Sequence, residues 1–282
     1  MLINNNDRDN DSSEEPLEKF NIISIFLVYL IIDLLSGNRL IVQILFTLYF
    51  FHEIKRLNLN YERIIGRLRK INFKLIISLV ITDYLFNWGA NSIILYSLSF
   101  IFPKYVQNQI NQEYANNLIT WVLFSITALI FAPLMEELFF RGIVFQKIAI
   151  KKGFLTGLLT SAILFAAIHF RFDFIPLFIM GIVLVLLYLK SKQLHTVIIF
   201  HFLYNFLVIV EKLYYQLFYS SHSTRTTIAE YQQHFSDRLE IYILLIAVSL
   251  PYLCYFIYKN YPRNYDVRQL PYFANQTIAD DR

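Results

Sequence analysis

One long apolar run follows another along this chain, and lipid is the solvent such a pattern needs. A bilayer hydrocarbon core about 30 Å thick takes roughly 20 apolar residues per helical span. Runs of that order cover 20–35 and 40–51, on either side of the short break Ser36-Gly37-Asn38-Arg39, and then 75–102, 118–134, 154–169, 174–189, 194–210 and 241–258. Seven or eight crossings follow, depending on whether 136–150 is itself a span. Backbone groups in lipid find no water, so only helices and closed barrels cross it, and these runs lack the alternation of barrel strands. The expected fold is an all-α, polytopic membrane helix bundle of about 7–8 transmembrane helices. Composition agrees: 56% of the 282 residues are hydrophobic and 16% charged, too apolar for an ordinary soluble domain of this length.

The polar start, 1–19, reads as a mobile tail; it lacks the basic segment and short apolar core of a cleaved signal peptide. Residues 20–116 hold the N-terminal spans, with a basic segment, 52–74, expected to lie at the cytoplasmic membrane surface. A central core, 117–211, follows, and 212–282 contains a luminal or surface loop, the last span and a C-terminal tail. The net charge of +4 is modest, and no nucleic-acid-binding module accompanies the basic residues, so no nucleic-acid partner is expected. The single cysteine, Cys254, allows no intramolecular disulfide and reads as a small buried hydrophobe.

Ionisable groups inside such runs are costly, about 2.5 to 3.5 kcal/mol at mid-span on insertion scales, so each is a candidate for function. They are few: Asp83 with Asn87, then Glu136, Glu137 and Arg141, then His169, then His201 with Asn205. Asp33 and His195 fall near run ends and read as interfacial. Asp83 and Asn87 read as polar groups bonding across helices. Helix geometry separates the two glutamates. Glu137 and Arg141 are four apart and share a face, whereas Glu136 points about 100° away from Glu137. Glu137 and Arg141 are therefore expected to form a structural ion pair that offsets their burial, which leaves Glu136 without a countercharge and suited to moving a proton. Pro133 is expected to begin the helix that carries them. Phe165 and His169 also share a face, and so do His201 and Asn205, whose donors would suit an oxyanion or a helix-to-helix contact. If 136–150 crosses the membrane and Lys151-Lys152-Gly153 turns the chain back, Glu136 and His169 reach the same depth. His201, midway along its own run, would approach the same level from a third helix, completing one intramembrane pocket.

Together Glu136-Glu137-Leu138-Phe139-Phe140-Arg141, Phe165 to His169 and His201 to Asn205 resemble the EExxxR, FxxxH and HxxxN motifs of the CPBP intramembrane proteases. That family, also called Abi, includes CAAX prenyl endopeptidases and bacteriocin-processing or self-immunity proteins. The resemblance covers about a third of the chain and makes 117–211 the catalytic core. It implies peptide-bond hydrolysis in or beside the membrane. Glu136 would activate water with help from His169, His201 with Asn205 would stabilise the oxyanion, and Glu137 with Arg141 would hold the site together. Phe140 and Phe165 would line the pocket. The family is often labelled metalloprotease, yet the HExxH signature is absent. Glu136, His169 and His201 offer the donor types of an open Zn²⁺ site, but a metal-free mechanism is preferred because Glu136 and His169 already account for water activation.

The expected substrate is a hydrophobic peptide or membrane protein, processed as a CAAX-type, bacteriocin or pheromone precursor, with bacteriocin immunity a related role. The expected location is a bacterial cell membrane, from a bias toward Ile, Asn, Phe and Tyr. Two rival readings are a proton-coupled carrier, with Glu136, His169 and His201 relaying protons, and a non-catalytic immunity or scaffold protein. The charge pattern adds a conflict. Residues 52–74 and the lysines at 147, 151, 152, 190 and 192 both argue for the cytoplasm. They fall on one side only if 118–150 crosses once, whereas the pocket geometry favours a separate crossing after Glu136.

Overall fold

A computed structural model describes residues 17, 20–56, 64–66, 71–111, 118–169, 172–218, 226–264, 266 and 270–271. The two expected tails and the middle of the basic segment, 57–63 and 67–70, lie outside these residues almost entirely. All the long elements described are helical. They are α1 (Ile22–Ser36), α2 (Arg39–Arg56), α3 (Phe73–Ile101), α4 (Pro103–Ile110), α5 (Leu118–Lys152), α6 (Phe154–Ala167), α7 (Phe174–Ser191), α8 (Leu194–Phe218), α9 (Ile228–Ser236) and α10 (Leu239–Asn260). Four of them, α5, α7, α8 and α10, are long and apolar enough to cross a bilayer, and α1 and α6 are shorter apolar helices. The protein is an integral, multi-pass membrane helix bundle.

Local chemistry sets the helix ends. Asn21 caps α1 through Ser24 N–H and Asn72 caps α3 through Leu75 N–H, each at 3.1 Å. Gly37 ends α1 in the left-handed region, at φ 59°, where a glycine carries no steric penalty. Gly153, at φ 87°, makes the tight reversal between α5 and α6, so the Lys151-Lys152-Gly153 turn forms as expected. Bulky apolar side chains such as Leu34, Leu118, Ile119, Val248 and Tyr258 point outward, as lipid contact requires. Cys254 is among the exposed residues, contrary to the expectation of burial. On a membrane helix the apolar outer face meets lipid, so apolar character does not place a side chain inside the protein.

One helix resolves the charge conflict. α5 is continuous over 35 residues, one candidate span by its length and composition, and no helix break follows Glu136. Pro133 lies inside it and does not start it, because a π turn over Thr127–Phe131 passes the chain into the proline-bearing segment without a break. The basic groups therefore gather at one end of the bundle. There Lys147 Nζ donates to the Phe20 carbonyl at 2.6 Å and Lys190 Nζ donates to Asn260 Oδ1 at 2.9 Å. Phe154 meets Tyr261 edge to face, with centroids 5.3 Å apart. His195 Nδ1 lies 2.7 Å from the Ile65 carbonyl, so the described part of the basic segment packs under the α7–α8 turn. His195 is thus buried, where the sequence suggested an interfacial side chain. Asp33 stays at its helix end, 3.6 Å from Arg39 across the α1–α2 turn. The opposite end is built from α4 and α9. Gln107 Nε2 bonds the Thr226 carbonyl at 2.6 Å and Gln232 Nε2 bonds Ser99 Oγ at 2.9 Å. Phe102 stacks on Phe172 with centroids 5.7 Å apart.

Asp83 and Asn87 do not bond across helices as expected. The Asn87 amide donates to the Asp83 carbonyl one turn back, at 3.0 Å, and both carboxylate oxygens of the fully buried Asp83 lack a hydrogen-bond partner.

Single-cysteine labelling in a Cys254→Ser background checks the topology. Lys151→Cys and Lys192→Cys should react with an impermeant maleimide from one side, the cytoplasmic one by the positive-inside rule, and Lys104→Cys and Asp237→Cys from the other. Labelling of Lys104→Cys and Lys151→Cys from the same side would contradict a single crossing by α5.

Candidate active site

The site grows from the irregular middle of α5. Two π segments, Thr127–Phe131 and Leu138–Phe145, flank a short α turn over Ala132–Glu137. Such widened turns concentrate at functional sites, and here they release carbonyls from the ordinary ladder. The Ala132 N–H bonds back to the Thr127 carbonyl, and Pro133 has no N–H. The Ala128 carbonyl thus loses both the donor of an α turn and that of a π turn. In lipid that loss would cost several kcal/mol, roughly. Asn205 of α8 meets it, its Nδ2 donating to the Ala128 carbonyl at 2.7 Å. Ser161 of α6 donates to the Phe140 carbonyl within the second π segment at 3.0 Å.

The Glu137–Arg141 pair forms as the spacing predicts. Arg141 Nη1 lies 3.0 Å from Glu137 Oε1, and both side chains are wholly buried. Arg141 also reaches the Gly181 carbonyl of α7 at 3.4 Å and lies 4.3 Å over the Phe165 ring of α6. A Cβ at position 181 would come within 2.9 Å of the Ala162 backbone, so only glycine lets α7 approach closely enough for that contact.

His201 is where the sequence reading and the structure part. Its Nδ1 donates to the same Glu137 Oε1, at 2.8 Å, and its Nε2 stands 4.0 Å from Glu136 Oε2. An ionised Glu137 requires the hydrogen on Nδ1, so Nε2 of the neutral ring is an acceptor and donates only when the ring is protonated. His201 and Asn205 share a face of α8, but one serves Glu137 and the other Ala128, so they do not converge as a free pair of donors.

Glu136 is 5% exposed, and its Oε2 is buried without a hydrogen-bond partner. At 1.5 Å per residue it lies about 24 Å along α5 from Lys152, and His169 lies about 24 Å along the chain from Gly153. Glu136 therefore sits in mid-helix and not at a helix start. His169 sits just past the end of α6, its Nδ1 2.9 Å from the Phe165 carbonyl. Phe165 ties the cluster together, with centroid distances of 5.2 Å to His169, 5.8 Å to His201 and 5.6 Å to Phe140.

Among the described residues no three His, Cys, Asp or Glu side chains stand close enough together to hold a metal ion. Glu136, His169 and His201 thus do not make the Zn²⁺ ligand set that their types allow. The α1–α2 hairpin contributes groups that the sequence did not flag. Glu136 interacts electrostatically with Tyr29 and Arg39, and Tyr29 is hydrogen-bonded to the Gln43 side chain. Gln43 and Thr47 are buried, each with an oxygen lacking a partner. Their spacing of four inside an apolar run was the available signal.

The bundle thus buries a glutamate beside a histidine that a second carboxylate holds. Residues 118–207 match the family described as type II CAAX prenyl endopeptidase Rce1-like. Over 91 residues the chain is 36% identical to the membrane-embedded CAAX protease MroQ of Staphylococcus aureus (strain USA300), a stretch that is 30% of this chain and 37% of that protein. The match spans little more than a third of that relative's length. No solved structure matches the chain. Through this segment the chain is similar to the CPBP intramembrane proteases.

Removing one partner of a buried pair costs about 3–5 kcal/mol, and Glu137 carries two partners. Thermal unfolding in detergent should therefore show Glu137→Gln and Arg141→Met strongly destabilised, with Glu136→Gln close to the parent. Equal destabilisation of the two glutamate variants would contradict the division of roles.

Proposed function

We propose that this protein is an intramembrane endopeptidase acting on a hydrophobic peptide or membrane-protein segment. The observation that carries this reading is the inequality of two adjacent glutamates. Glu137 holds both Arg141 and His201 through Oε1, whereas Glu136 Oε2 stands 4.0 Å from an imidazole nitrogen without a hydrogen bond; the Oε2 of each glutamate is buried without a hydrogen-bond partner. That gap is too long for a direct hydrogen bond and suits a water molecule bonded to both groups. The family match over the same residues supports the reading.

In this mechanism Glu136 takes a proton from water as the water attacks the scissile carbonyl, and later returns it to the leaving amine. His169, just past the end of α6, assists the water. Glu137 fixes the ring of His201 as a carboxylate fixes the histidine of a catalytic triad. When protonated, His201 presents an Nε2–H to the oxyanion, and the second amide hydrogen of Asn205 remains for the same purpose. No step passes through a metal.

A liposome assay with purified protein and a fluorogenic hydrophobic peptide tests the proposal. The parent should cleave, and Glu136→Gln should lose at least about a hundredfold in rate with an unchanged unfolding temperature, the scale of losing a general base. Equal rates would overturn it. Ion flux across the same vesicles without cleavage would favour the carrier, a reading to which the buried, unpartnered Asp83 carboxylate lends weight.

A further inference from the structure

The α1–α2 hairpin lies outside the segment 118–207 that matches the family, yet it sets a file of polar groups against the site. Tyr29 and Asp33 are one turn apart on α1, and Arg39, Gln43 and Thr47 follow one another at the same spacing on α2, so each set shares a helix face. The two faces meet. Asp33 lies 3.6 Å from Arg39, and the Gln43 side chain is hydrogen-bonded to Tyr29. α2 also packs on the Ala132–Glu137 stretch of α5, and Tyr29 lines a small apolar cleft together with Met135, the residue before Glu136. Phe46 holds the Tyr29 ring edge to face, with centroids 5.2 Å apart.

Hydrogen bonding fixes the direction in which the phenol acts. Gln43 Oε1 is buried without a partner, so the bond to Tyr29 runs through the amide nitrogen, which donates to the phenol oxygen. The phenol hydrogen is left for an acceptor. Two carboxylates interact electrostatically with Tyr29, Glu136 more strongly than Asp33, and Arg39 engages Asp33 from the turn. Glu136 Oε2 is buried without a hydrogen-bond partner. We infer that Tyr29 is a positioning residue for Glu136: its hydroxyl donates toward the ionised carboxylate through one water and so aims the general base at the bond to be cleaved. This rests on the endopeptidase reading. A polar contact longer than a direct hydrogen bond is the kind that a single water carries. Gln43 acts one step further back, by holding the phenol that does the aiming. The family-matched segment then supplies the base, and the hairpin orients it.

Infrared difference spectroscopy on full-length protein in liposomes reads the contact without any substrate. The Glu136 carboxyl band is the one that a pH jump changes in the parent and not in Glu136→Gln. Tyr29→Phe keeps the ring and removes only the hydroxyl, and it should shift that band. Gln43→Leu, which releases the phenol, should shift it too. Tyr49→Phe should leave the band in place, because that tyrosine interacts with Glu53 and Arg56. In the fluorogenic peptide assay Tyr29→Phe should lower kcat roughly tenfold, the scale of a hydrogen bond to a charged group, with KM and unfolding temperature held. A general loss of structure would not separate kcat from these. An unmoved band in Tyr29→Phe overturns the inference, and so does a moved band with kcat unchanged. If Tyr29→Phe fails to fold, Gln43→Leu decides on the same two readings. A parent that cleaves no peptide refutes the endopeptidase reading instead, and the inference falls with it even where the band has moved.

Discussion

Everything near the site depends on holding one guanidinium inside lipid. Arg141 is fully buried, and an unaided charge at that depth costs about 2.5 to 3.5 kcal/mol even on insertion scales. Its partners arrive from different helices: Glu137 one turn away on α5, the Phe165 ring on α6 and the Gly181 carbonyl on α7. α8 joins through His201, which shares the carboxylate oxygen that Arg141 uses. The charge thus works as a fastener for helices that lipid alone would not drive together. Its requirements reach further: position 181 must lack a side chain, and Glu137 Oε1 must serve Arg141 and His201 together.

The second constraint is hydrogen bonding in α5. A proline and a π turn in a membrane helix leave the Ala128 carbonyl unpaired, Asn205 reaches across from α8 to meet it, and Ser161 of α6 bonds the Phe140 carbonyl. The irregular backbone and its side-chain partners form one unit. Glu136 sits inside that unit, between the two π segments, where its direction follows from the local winding.

Much of this was legible in the sequence. The apolar runs gave the helices, and the four-residue spacing of Glu137 and Arg141 gave their bond, because spacing on one helix is a local property. What lay beyond it was partner choice between helices. His201 and Asn205 do share a face, yet His201 turned to Glu137 and Asn205 to a backbone carbonyl that only the π turn exposes. Pro133 read as a helix start because proline rules describe regular helices, and the upstream π turn removed the break. Tyr29, Gln43 and Thr47 escaped notice because uncharged polar groups in an apolar run carry little cost signal. The approach of Tyr29 to Glu136 depends on how α1 and α2 fold back, which no local pattern states.

The brevity of α6 has a physical consequence for supply. With 14 residues it rises only about 21 Å at 1.5 Å per residue, short of a hydrocarbon core about 30 Å thick. The bilayer answers such a mismatch by thinning, and flanking polar groups draw the interface inward. His169 follows the last turn of α6, so thinning at that end of the helix would bring the aqueous boundary toward this imidazole and shorten its route to bulk solvent.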